Sequence, residues 1–215
     1  MGPFPFPLEP HTAIITGRTG CGKTQFALDL LEGPFRGALD YIFILCPTVR
    51  DNLSYRNRPW IWADPHIAII DPTDTGVPVS SSVAGRDRLH DWIRGLSKAF
   101  RGDAVLFLLD DVSATKSIKL KHNALSELAF SGRHRGHSLW LLTQKWNSVC
   151  TDVRENTQWV AAFACKDRDS FEEVLRDNDV VPPSEKAGVK EMLAKHPHAR
   201  LLIRTAWPEC YQVLH

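Results

Sequence analysis

Residues 17–24 read GRTGCGKT. Glycines at 17, 20 and 22 let the backbone turn so that successive N–H groups converge on an anion. The spacing of Gly17, Gly22, Lys23 and Thr24 matches G-x4-G-K-[ST], a phosphate-binding loop. Its surroundings fit. Residues 11–16 (HTAIIT) read as a strand, and residues 23–31 as a helix with Phe26, Ala27, Leu30 and Leu31 on one face. A helix N-terminus directs partial positive charge at a phosphate. The nucleotide-binding candidates are therefore Gly17, Arg18, Thr19, Gly20, Cys21, Gly22, Lys23 and Thr24. Lys23 can reach the β- and γ-phosphates of ATP, and Thr24 can ligate Mg²⁺. Cys21 reads as a small filler rather than a nucleophile.

Outward from this loop, strands and helices alternate. Residues 41–45 (YIFIL), 66–70 (HIAII), 104–109 (AVLFLL), 139–143 (LWLLT) and 159–165 (WVAAFAC) read as strands. AVLFLL has no polar alternation, as expected of a strand buried on both faces. Helices are expected over 86–100, 117–130, 170–176 and 185–195, and a surface loop over 73–85. Residues 199–204 and 211–214 can close the chain as a hairpin around Pro208. This is an α/β pattern with a mainly parallel sheet flanked by helices. Residues 1–10 carry four prolines and read as an extended arm, either strapped over its own core or reaching a neighbouring subunit. Residues 11–215 read as one domain built around the phosphate loop, an expected P-loop ATPase domain.

The 215 residues, 43% hydrophobic and 24% charged, suit one globular domain and exclude global disorder and coiled coil. No apolar run approaches the roughly 20 residues of a membrane span, and no signal peptide is visible. A formal net charge of +1 confines any nucleic-acid contact to local patches. Five cysteines without a CxxC pair suggest a reducing, intracellular setting.

The strand at 104–109 runs into Asp110 and Asp111. Acids at the carboxyl end of such a strand can hold Mg²⁺ and activate water, so Asp110 is the metal candidate and Asp111 the catalytic one. The strand at 139–143 ends in Thr143-Gln144, where an amide can sense the γ-phosphate or position water. Between them lies SGRHRGHSLWLLTQ. Arg133 or Arg135 could act as an arginine finger toward a neighbouring subunit, or contact DNA phosphates. His134 and His137 lack the companions a zinc site needs. Lys116, Lys119 and Lys121, in the segment after the acidic pair, are further candidate cations for contact with DNA.

GRTGCGKT, FLLDD and RHRGHSLWLLTQ together resemble the DNA-packaging ATPases of large eukaryotic DNA viruses, virophages and related elements, the poxvirus-type branch of the FtsK/HerA superfamily. LCPTVRDN at 45–52 is similar in style. The resemblance implies a RecA-like core and ATP hydrolysis with Mg²⁺. It also implies a homo-oligomeric ring, hexameric or pentameric, moving double-stranded DNA into a capsid beside capsid or portal proteins. For a viral protein, the site of action would be the host-cell assembly site or the virion. Many superfamily members carry Asp-Glu where this chain has Asp110-Asp111, one methylene shorter in reach. Two other functions fit the phosphate loop alone: a small nucleoside or nucleotide kinase, and a non-motor ATPase switch. The polar strand end at Gln144 argues against the kinase.

Overall fold

The computed structural model describes residues 6–70, 83–111, 124–165 and 168–214. The chain runs β1 (Thr12–Thr16), α1 (Lys23–Glu32), β2 (Tyr41–Leu45), α2 (Leu53–Arg56), α3 (Pro59–Ala63), β3 (Ile67–Ile70) and α4 (Val83–Ala99). It continues through β4 (Val105–Asp110), α5 (Ala124–Ser131), β5 (His137–Thr143), α6 (Thr151–Glu155) and β6 (Trp159–Phe163). It ends with α7 (Arg168–Asp177), α8 (Pro183–Lys195), β7 (Arg200–Arg204) and β8 (Cys210–Leu214). Among the described residues the strands form one sheet, ordered β3-β2-β4-β5-β1-β6-β7-β8. From β3 to β6 all neighbours are parallel. β7 runs antiparallel to β6, and β8 to β7, giving the expected C-terminal hairpin.

Both faces of this sheet are covered, and the strands show it residue by residue. In β4, Val105, Phe107 and Leu109 join one core, while Leu106 and Leu108 join the other. Leu139 and Leu141 of β5 divide from Trp140 and Leu142 in the same way. Two-sided burial is why these strands carry unbroken apolar runs. The first core includes residues of α4 to α8, and the second those of α1 and Tyr55 and Ile61 of α2 and α3.

β5 begins at His137, two residues earlier than its apolar run suggests. His137 and Ser138 pair with Val105 and Leu106 and are buried, yet their polar atoms are satisfied. The His137 ring bonds the Phe100 carbonyl at 3.0 Å and the Ser97 hydroxyl at 3.2 Å, and Ser138 Oγ accepts from the His11 amide at 3.1 Å. The segment before β5, Gly132–Arg135, is a 3₁₀ turn. α4 begins at Val83, so the last three residues of the expected 73–85 loop are helical; the rest of that loop lies outside the described residues. So do residues 117–123 of the helix expected over 117–130, together with Lys116, Lys119 and Lys121.

α2, α3 and α6 are too short for periodicity to reveal. Asn52 caps α2, its side chain accepting from the Ser54 amide at 3.0 Å, and Pro59 opens α3. Arg58, only 6% exposed, ties the pair to α1 through ion pairs with Asp29 and Glu32, and it donates to the Ser54 carbonyl at 2.9 Å.

Phe6 is fully buried in its own chain, edge-on to His11, Phe26 and Trp140. Beside it, His11 Nδ1 donates to the Glu9 carbonyl at 2.8 Å and Nε2 accepts from the Trp140 indole at 2.9 Å. Both bonds hold only for the neutral ring with its proton on Nδ1. Burial accordingly lowers the His11 pKa to about 4. Above about pH 6.5 the ring is neutral in folded and unfolded chains alike. Below that the unfolded chain binds the proton first, so stability falls as pH drops toward 4, by on the order of 3 kcal/mol. Urea unfolding at pH 7 and pH 4.5 should show this loss in the wild type and much less of it in His11→Gln, with the carboxylates common to both. Equal pH slopes in the two proteins would contradict it.

Candidate active site at the carboxyl ends of the strands

The carboxyl ends of β1, β5 and β4 lie side by side, with β5 between the other two. β1 leads into the phosphate loop, β4 ends at Asp110 and β5 at Thr143. The loop is anchored at its start: the Gly17 amide donates to the Thr143 carbonyl at 3.2 Å, and the Arg18 amide to the Ala164 carbonyl at 3.1 Å. Gly17 has φ 154°, and a Cβ there would sit 2.6 Å from Phe163 Cβ, so only glycine fits. Gly22, at φ 98°, turns the chain into α1. Lys23 is 8% exposed, and its Nζ donates back to the carbonyls of Gly17 and Arg18 at 2.8 and 3.0 Å. The ammonium is thus held inside the loop's own curve. Cys21 is buried, and burial pushes its thiol pKa up, against a nucleophilic role.

Thr24 and Asp110 meet directly. The Thr24 hydroxyl donates to Asp110 Oδ2 at 2.8 Å. Asp110 is 3% exposed, and burial raises its pKa against the opposing pull of hydrogen bonds from Thr24 and Tyr55. Asp111 adopts φ 56°, left-handed and uncommon for a residue with a side chain. That turn aims the second carboxylate differently from the first, and Gln144 Nε2 donates to Asp111 Oδ1 at 3.1 Å. Thr19, Gly20, Lys23, Thr24, Asp110, Asp111 and Gln144 all line one cleft of about 310 Å³.

Tyr55 was not legible as a site residue. It is fully buried on α2, and its hydroxyl donates to the same Asp110 Oδ2 at 3.0 Å. Asn52 and Ser54 line the cleft beside it. The one available signal was LCPTVRDN, which stops three residues short of Tyr55. A four-residue helix gives no pattern to extend it.

The arginines lie elsewhere. Arg133 is exposed in the turn before β5. The seven residues of β5 separate that turn from Gln144, about 20 Å of extended chain. Arg133 therefore stands at the amino end of the strands, opposite the end that carries its own chain's phosphate loop. Arg135 is half-buried, and its Nη1 donates to Ser97 Oγ at 3.0 Å, tying the turn to α4. Among the described residues no group of three His, Cys, Asp or Glu side chains could hold a metal ion, and no helix is long and apolar enough to cross a membrane.

Fold and loop together define a RecA-like P-loop NTPase. The sequence profile of the family described as Poxvirus A32 protein matches residues 8–199, and the chain belongs to that family. Solved structures share the fold. The genome-packaging NTPase B204 of Sulfolobus turreted icosahedral virus 2, in complex with AMPPCP, superimposes with TM-score 0.67 at 13% identity over 98% of this chain and 99% of that one. B204 of Sulfolobus turreted icosahedral virus, described as a DNA-packaging ATPase, gives TM-score 0.65 at 13% identity over 96% and 98%. The N-terminal domain of zonular occludens toxin from Neisseria meningitidis gives 0.52 at 12% identity over 96% and 94%. A search of curated proteins returns no match.

Proposed function

We propose that this chain is the ATP-hydrolysing subunit of a ring-shaped motor that moves double-stranded DNA into a viral capsid. The observation that carries the hydrolytic half is the meeting of Thr24 with Asp110 and of Gln144 with Asp111 in one cleft beneath the loop. Family membership and the fold shared with packaging NTPases support the DNA half.

The residues fit ATP and Mg²⁺. A Cβ at Gly20 would meet nothing within 4 Å, so the loop's crown is open to a ligand. Thr24 and Asp110 offer a hydroxyl and a carboxylate, the hard oxygen donors Mg²⁺ takes alongside phosphates and water. Bound Mg²⁺ would supply neutralisation of phosphate charge. Lys23 would exchange its carbonyl partners for the β- and γ-phosphates. Tyr55 and Thr24 hold Asp110 Oδ2, fixing the carboxylate's rotation. Asp111, held by Gln144, would take the proton of an attacking water. β5, lying beside β4, brings that amide onto Asp111, which supports transfer to water over transfer to a small acceptor. Arg133 would complete the site of an adjacent subunit, since it cannot reach its own.

The two acids separate by substitution. Asp111→Asn should bind ATP with Mg²⁺ normally and stop turning over, because an amide is a poor base. Asp110→Asn should instead weaken the dependence on Mg²⁺ itself. Steady-state hydrolysis against Mg²⁺ concentration, with nucleotide binding measured separately, reads both. Exchanged phenotypes would reverse the two roles, and full activity in both variants would overturn the hydrolytic reading.

A further inference from the structure

Gln144 has to keep one direction, and its own surroundings do not impose it. The side chain is exposed, and among the described residues its one hydrogen bond goes to Asp111 Oδ1. A long exposed side chain has several rotamers open to it unless the backbone beneath is fixed. Two buried hydroxyls fix that backbone. Thr143 Oγ1 lies 2.7 Å from Ser148 Oγ, and the Lys145 carbonyl oxygen lies 3.0 Å from the first and 2.6 Å from the second. Neither hydroxyl residue lines the cleft.

The triangle controls the residue that follows Gln144. The Lys145 amide donates to Thr143 Oγ1 at 3.3 Å, and the Ser148 amide donates to the Lys145 carbonyl at 3.1 Å. The first of these bonds holds the Gln144–Lys145 peptide, and with it the direction in which the Gln144 side chain leaves the chain. The 3₁₀ turn that follows, Trp146–Ser148, is seated by Trp146, which is fully buried and donates its indole N–H to Asp177 of α7 at 2.7 Å. Thr143 has a further attachment: its carbonyl accepts from the Gly17 amide at 3.2 Å, where the phosphate loop begins. One residue thus joins the loop, through its carbonyl, to the turn bearing Gln144, through its hydroxyl. Valine would suit a buried strand end equally well. A buried polar pair is also close to neutral for stability when set against apolar groups of the same shape. Position, more than stability, is what the two hydroxyls supply.

We propose that Thr143 and Ser148 are positioning residues that hold Gln144 on Asp111, so that the rate of ATP cleavage depends on a hydroxyl pair outside the cleft. The proposal rests on the reading of Gln144 as the amide that holds Asp111 for hydrolysis. It extends the site to the 3₁₀ turn after β5 and ties the direction of Gln144 to the first residue of the phosphate loop.

Steady-state ATP hydrolysis with DNA present, alongside calorimetric binding of the non-hydrolysable analogue AMPPCP with Mg²⁺, tests it. Thr143→Val and Ser148→Ala should each lower kcat by about tenfold, the scale of one lost buried hydrogen bond. Both should bind AMPPCP within about twofold of the wild type, because the cleft lining is untouched and only the cleavage step is affected. Thr143→Ser, which keeps the hydroxyl, should turn over within about threefold of the wild type. In a Gln144→Ala background, Thr143→Val should cost less than about twofold further, since the group it positions is gone. A purely structural role would give the same loss of kcat with and without Gln144, and that result would overturn the proposal. So would wild-type kcat in both hydroxyl variants, or AMPPCP binding weakened as much as kcat. Ser148→Ala removes a single oxygen, so it carries the test if Thr143→Val does not fold. The reading of Gln144 fails on a different result, namely Gln144→Ala turning over at the wild-type rate, and the proposal falls with it.

Discussion

Lys23→Ala should abolish ATP hydrolysis and sharply weaken ATP binding. The ammonium is buried inside the loop, 2.8 Å from the Gly17 carbonyl, and its location is set by the loop rather than by surface chance. Among the described residues lining the cleft, it is the only Lys or Arg. An alanine there takes from the phosphates the ammonium nearest them in a site that already holds Asp110 and Asp111. The loss should exceed about a hundredfold in turnover, comparable to removing a preorganised charge-stabilising donor. The loop itself should survive, because Gly17 and Arg18 keep their strand anchors on Thr143 and Ala164. Thermal unfolding near that of the wild type, with hydrolysis at background, is the expected pair of results. Hydrolysis at the wild-type rate would contradict the assignment of the loop.

Arg133→Ala should bind ATP as the wild type does and turn over slowly, by about 10³-fold or more if the guanidinium acts as a finger. The geometry sharpens this expectation. With Arg133 at the far end of β5, a contact with γ-phosphate must come from another subunit, so an isolated monomer should also hydrolyse slowly. Mixing Arg133→Ala with Lys23→Ala should restore part of the activity, since an intact loop from one chain can meet an intact arginine from the other. Arg135→Ala should behave differently. Its guanidinium joins Ser97, whose hydroxyl also meets His137, so its loss should loosen the join between α4 and β5. The readout is steady-state hydrolysis against mixing ratio, with DNA present and mixed assembly confirmed by mass. No rescue at any ratio would remove the trans role and leave Arg133 as a DNA contact.

The sequence made the sheet strands and the loop visible because their causes are local. GRTGCGKT carries its glycines and lysine in eight consecutive positions, and AVLFLL and LWLLT are apolar throughout because both faces of the sheet are covered. Asp110, Asp111 and Gln144 were legible as strand ends. What joined them was not. The Gln144–Asp111 bond depends on β5 lying beside β4, and strand order is a long-range property that no window of sequence contains. Tyr55 was hidden for a related reason: nothing in the sequence around it marks it, and only its hydroxyl on Asp110 distinguishes it. His137 and Ser138 fall outside the strand expected from 139, because their satisfying partners, Ser97, Phe100 and His11, lie 40, 37 and 127 positions away.

On the proposed function, this chain couples ATP hydrolysis to duplex DNA through a multi-subunit site. The most direct test is the steady-state ATPase rate with and without double-stranded DNA, alongside the mass of the particle in solution. The expected result is slow hydrolysis by the monomer, and a rise in rate that accompanies both DNA and the appearance of a ring-sized mass. A rate that is the same for monomer and assembly, and indifferent to DNA, would contradict it.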